Sequence, residues 1–141
     1  MRGKTRRARP GFANPEYLLA LTAIMITLAI LIPHISRARE RRRNLDALAS
    51  LRGAISRYAA DTKTKGPLEI TQLAANGKYL AELPTVQIMG HHARARQVQE
   101  MGVTNDEGGW SYSNWPGDAR QGEIWINCTH TDGGGHAWNS Y

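Results

Sequence analysis

One short stretch of this chain gathers most of the side chains that could do chemistry. It reads Cys128-x-His130-x-Asp132, with His136 four residues further on and His91-His92 upstream. On an extended strand successive side chains alternate, so Cys128, His130 and Asp132 fall on one side. Thiolate, imidazole and carboxylate are the ligands of zinc, but a zinc site usually needs ligand pairs two to four residues apart and a fourth ligand. No such framework is legible here, and neither zinc nor hydrolase chemistry is expected. A hard cation would use oxygens instead, and Asp106, Asn127, Thr129 and Asp132 are the candidates for calcium, without the spacing of an EF-hand loop. The same residues are turn formers and could simply cap turns. Cys128 is the only cysteine; it cannot form an internal disulfide, and a free thiol usually packs as a small hydrophobe. The expectation is a chain with no committed metal, cofactor or catalytic residue.

These residues lie at the far end of a chain whose first half is organised differently. Residues 1–43 hold ten Lys/Arg against Glu16 and Glu40, a net of +8, whereas residues 44–141 hold eight against ten acids, a net of −2. The basic groups therefore flank an apolar run and concern membrane topology; a nucleic-acid face would need cations clustered on the folded part. Asn14-Pro15-Glu16 supplies an N-cap, a proline at the first helical position and an acid in the first turn. Tyr17 to Ile32 is then apolar except for Thr22 and Thr27, whose hydroxyls can bond back one turn. Its sixteen residues would span roughly 24 Å, a marginal crossing of a hydrocarbon core roughly 30 Å thick. Beyond Pro33 the pattern becomes periodic, with Leu45, Leu48, Leu51, Ile55 and Tyr58 at steps of three and four. Pro33 should kink or locally break this helix. The Arg37–Arg43 cluster is read as a solvated face, or as a contact for lipid head groups or for acids of a neighbouring subunit.

The division that follows is a basic leader over 1–11, a long helix over 12–61 and a small head over 62–141. In the head, a short helical pattern surrounds Ile70 and Leu73 and ends at Asn76-Gly77. Residues 85–105 show no clean period. Trp110 to Tyr112 and Glu123 to Asn127 read as strands joined by the turn chemistry of Asn114 to Asp118. Trp110, Trp115, Trp125 and Trp138 are expected to form the core and lid of a domain poor in other bulky groups. The fold class is thus α+β, a long helix packed on a small domain with a short antiparallel sheet.

Taken together, these features resemble the type IV pilins and type II secretion pseudopilins. Gly11 precedes Phe12, Glu16 is the fifth residue counted from Phe12, and Pro33 is the twenty-second. Lys78-Tyr79-Leu80 with Leu83-Pro84, and Gly108-Gly109-Trp110-Ser111-Tyr112, also match. Ala13-Asn14-Pro15 departs from the usual residues between Phe and Glu, and the paired cysteines of many surface pilins are absent. The resemblance implies cleavage between Gly11 and Phe12 by prepilin peptidase on the cytoplasmic side, with methylation of the new amine. It implies a single-pass inner-membrane precursor that polymerises, with itself or with minor pilins, into a periplasmic or cell-surface filament through inner-membrane assembly machinery. Glu16 would pair with the Phe12 ammonium of a neighbour and set register, and Pro33 would act as a hinge or simply mark where the helix leaves the membrane. Some pseudopilins hold calcium in the terminal region. The competing expectations are a signal-anchored membrane protein whose outer domain binds a ligand or metal, and a tethered metallohydrolase depending on His130.

Overall fold

Helix α1 begins where the capping residues place it. The computed structural model describes residues 14–141, and α1 runs Pro15–Thr62 with Glu16 in its first turn. The Asn14 carbonyl accepts the Tyr17 amide at 3.0 Å, satisfying one of the donors that a helix start leaves unpaired. Lys63, at φ 59°, takes the left-handed conformation that commonly ends a helix. Pro33 lies inside α1 rather than ending it. One missing amide and a ring clash are local costs that a long helix carries on its flanking turns.

The chain divides between His34 and Ile35 into two units. In the first, Tyr17, Leu18, Leu19, Leu21, Ile24, Met25, Ile26, Leu28 and Ile30 to Ile32 all stand exposed. The helix has a stretch near the N-terminus that is long and apolar enough to cross a membrane, none of it buried. Thr22 and Thr27 donate their hydroxyls to the carbonyls of Leu19 and Ala23 at 2.9 and 2.8 Å, so neither presents an unpaired donor to an apolar surrounding.

In the second unit α1 turns amphipathic, and its buried stripe is Glu40, Asn44, Leu48, Leu51, Ala54 and Ile55. The head supplies strands β1 (Val86–Ile88), β2 (His92–Ala95), β3 (Val98–Gln99), β4 (Trp110–Tyr112) and β5 (Ile124–Ile126). Strands β1 and β2 form an antiparallel pair with a register shift between Val86 and Ile88. The second sheet has the order β3-β4-β5. Its β4-β5 pair is antiparallel, as the sequence suggests, but β3 adds parallel to β4, so this sheet is mixed. A 3-10 turn over Ile70–Leu73 and another over Trp138–Ser140 complete the head.

Leu48, Leu51, Ala54 and Ile55 enter one cluster with Ile70, Leu73, Val86, Ile88, Trp110, Tyr112, Ile124, Ile126, Cys128 and Trp138. Trp110 donates its indole N–H to Pro84 O at 2.8 Å, and Tyr112 its hydroxyl to Pro67 O at 2.7 Å. Each large ring thus buries its apolar body while its polar tip stays paired. Trp125 is also buried, but Trp115 is 58% exposed, which corrects its expected place in the core: it sits in the turn between β4 and β5. Leu45 is only partly buried and lies outside the cluster. Leu51→Ala should therefore cost about 2–5 kcal/mol, the range for a truncated core leucine. Leu45→Ala should cost well under half as much. Urea unfolding in detergent, followed by tryptophan fluorescence from the head, measures both; a lower midpoint at unchanged slope is the expected signature.

Candidate assembly helix and candidate metal centre

The residues expected to take part in processing, Gly11 and Phe12, lie outside the described residues. Glu16 is exposed in the first turn of α1, at the edge of the apolar run. An ionised carboxylate there is costly to leave alone in lipid, and the first-turn amides of its own helix favour it electrostatically.

The cationic stretch after Pro33, read as a solvated face or as a contact for lipid or a neighbouring subunit, also makes contacts within its own chain. Glu40 and Asn44 continue the buried stripe upstream of Leu48 and grip the β1 hairpin through its backbone. The Met89 amide donates to Glu40 Oε1. Asn44 Nδ2 donates to Gln87 O at 2.7 Å, and the Gln87 amide returns a bond to Asn44 Oδ1 at 3.3 Å. Arg43 adds a hydrogen bond to Gln87 Oε1. Further along, Arg52 donates to Ile124 O and to the main-chain oxygen of Tyr141. Arg41 meets Asp132 at 2.9 Å and stands over the Tyr141 ring, 5.5 Å from its centroid.

Asp132 is the hub of that end of the head. Its Oδ1 accepts the amides of Gly134 and His136, and its Oδ2 accepts the Tyr141 hydroxyl. Burial raises its pKa, but the hydrogen bonds from Tyr141, His136 and Gly134, with the charge of Arg41, outweigh burial and hold the carboxyl below its usual range. Both oxygens are thus engaged by donors from the chain itself, with the Arg41 cation paired beside them. His136, four residues beyond Asp132 in the sequence, has its Nδ1 3.9 Å from Asp132 Oδ1.

A second polar cluster forms between the two sheets' connections. His92 opens β2, Asp106 lies in the loop before β4, and Cys128 and His130 follow β5. One ligand-type atom from each of these four lies within 4.8 Å of all the others. His92 Nε2 and His130 Nδ1 stand 3.4 and 3.5 Å from Asp106 Oδ1, and Cys128 Sγ is 3.4 Å from His130 Nδ1. His92 Nε2 is buried without a hydrogen bond. His91 does not join them but stacks on His130, ring centres 3.8 Å apart.

The loop is shaped for this. Asp106 has φ 61°, a backbone conformation that Asp tolerates better than most residues. Asn127, expected as an oxygen donor, spends its side chain on the scaffold. Its Oδ1 accepts the amides of Asn105 and Asp106, and its Nδ2 donates to Asn105 Oδ1 and Gly108 O. Thr129 contributes its amide, 2.8 Å from Asp106 Oδ1. That amide above all holds the Asp106 carboxyl below its usual range; burial opposes it, while the Thr129 hydroxyl, His130 and Cys128 reinforce it. Gly108, at φ 80°, passes so close to His92 that a Cβ would meet the His92 Cβ at 2.9 Å. Cys128 is fully buried, and burial pushes its thiol up to about 11. Cys128-x-His130 was visible in the sequence; His92 and Asp106 come to it through tertiary folding.

Compared with known protein families, with curated proteins and with solved structures, the chain matches none.

The Asp132 hub generates a direct test. Asp132→Ala leaves the Tyr141 hydroxyl and two amides without their acceptor and Arg41 without its facing anion. Because Arg41 is partly exposed, its charge is rehydrated, and the loss should be about 2–3 kcal/mol, as for charge-assisted hydrogen bonds. Arg41→Ala should cost less than Asp132→Ala in the same unfolding experiment.

Proposed function

We propose that this chain is a non-enzymatic structural subunit of a type IV pilus-like or secretion pseudopilus filament. One observation carries the reading: a single helix pairs a wholly exposed apolar stretch, Tyr17 to Ile32, with a stripe that packs on a small α+β head. An apolar helix surface of that size must be covered by lipid or by other chains. In the proposed life cycle it is lipid first, in a single-pass inner-membrane precursor, and then the same helix of neighbouring subunits in a periplasmic or cell-surface filament. Prepilin peptidase would cut between Gly11 and Phe12, and the assembly machinery would draw the helix out of the bilayer. The marginal length of the apolar run suits a helix that leaves. Glu16 would then neutralise the Phe12 ammonium of an adjacent subunit, supplying register where apolar packing specifies little.

A second reading, a signal-anchored protein whose head holds a metal, draws on the four-residue cluster. The two differ at the N-terminus. Intact mass and N-terminal sequencing of the protein recovered from its native envelope should give a chain beginning at Phe12. A chain retaining Met1 to Gly11, in cells with active prepilin peptidase, supports the anchored reading instead. Glu16→Ala should leave the head folded and membrane levels unchanged while reducing filaments at least tenfold by electron microscopy. Filaments of normal number and order from that variant would remove Glu16 from assembly.

A further inference from the structure

We propose that His92, Asp106, Cys128 and His130 bind one zinc-like divalent ion as a closed tetrahedral site that staples the head. The inference concerns the head alone and holds whether or not the chain assembles into filaments.

The distances fit the ligand shell of a metal. Zinc sits about 2.0–2.2 Å from nitrogen and oxygen ligands and about 2.3 Å from sulfur, which puts tetrahedral ligand atoms about 3.3–3.6 Å from one another. Three of the six separations, those through Asp106 Oδ1 and His130 Nδ1, are 3.4, 3.5 and 3.4 Å, and the remaining three lie within 4.8 Å. The two nitrogen–oxygen separations exceed the about 2.7–3.2 Å of an N–H···O hydrogen bond, whereas the Cys128–His130 contact is within hydrogen-bond reach of a thiol. The buried His92 Nε2 makes no hydrogen bond, Asp106 Oδ1 standing 3.4 Å away, and a buried polar atom left without a hydrogen bond calls for a partner. Thiolate and imidazole select a borderline ion such as zinc; calcium and magnesium prefer all-oxygen sets. Four protein ligands leave no position for a reacting water, which marks a structural site.

The surroundings hold the ligands in place, as supporting groups around a metal do. The Thr129 amide and the Asn127 side chain fix Asp106, and His91 covers His130. The ion would join the start of β2, the loop before β4 and the segment after β5. These are connections that a disulfide could tie in a chain with more than one cysteine. Binding converts the Cys128 thiol to a thiolate, with its proton released to solvent.

The test uses the full chain in detergent, stripped with a chelator and titrated with cobalt(II) alone, then with zinc. The expected result is saturation at one cobalt per chain, with the strong visible bands of a tetrahedral ion and a thiolate-to-cobalt charge-transfer band, both erased by one equivalent of zinc. Cys128→Ser should lose the charge-transfer band. His92→Ala should weaken binding beyond the roughly 10–100-fold that loss of a supporting partner costs, and His136→Ala should bind as the parent does. Tryptophan fluorescence and circular dichroism report whether each variant is folded. Free zinc at a hundred times its Kd should raise the folded-to-unfolded ratio of the parent about a hundredfold. Absence of saturable one-to-one binding by the folded parent chain overturns the proposal, whatever the variants do. So does a cobalt spectrum without the charge-transfer band, or one that Cys128→Ser leaves unchanged.

Discussion

The head is organised around the burial of one helical stripe. Leu48, Leu51, Ala54 and Ile55 meet residues from both sheets and both short turns in one cluster. The strands are only two to four residues long, and sheets so small do not hold their shape without an apolar partner. Helix α1 provides it. The polar residues of the stripe then act where apolar packing is indifferent to register: Glu40 and Asn44 engage the main chain at Gln87 and Met89, which fixes the position of the β1 hairpin along the helix.

Much of this was legible because it is written locally. The N-cap, the first-turn proline and the three- and four-residue steps of leucine are signals read within a turn or two. The strands over Trp110 to Tyr112 and Ile124 to Ile126 were equally plain, since aromatic and β-branched residues concentrate there between turn formers. Strands β1, β2 and β3 were not. Val98-Gln99 is too short to show alternation, and it is a strand only because β4 lies beside it. Glu40 and Asn44 were hidden for another reason: a polar residue at a stripe position reads as a break in the apolar face, and only the facing amides reveal what it does. Arg41 was masked by its neighbours, since one arginine in a run of five gives no sign that it alone meets Asp132.

The four-residue cluster shows the same division. Cys128 and His130 are two apart in sequence and could be suspected together. His92 and Asp106 are brought to them by the hairpin and by a loop whose conformation depends on Asn127, and no spacing rule connects residues on separate connections. Asp132, nearer in sequence, turns to Arg41 and Tyr141, and His136 turns to Asp132. Proximity along the chain pointed to the right segment and the wrong company. The fold thus separates an anionic hub that ties the chain's last segment to α1 from a cluster with metal-ligand chemistry.

The left-handed backbone at Asp106 narrows what can stand at that position among homologous chains. Asn would keep the backbone but not the anion; Glu would keep the anion but resist the backbone and carry it one bond too far. Gly would relax the loop and leave nothing to face His92 and His130. A position under two such demands admits a single residue type, so Asp106 should vary less than the more deeply buried leucines of α1, which one branched hydrocarbon can replace with another.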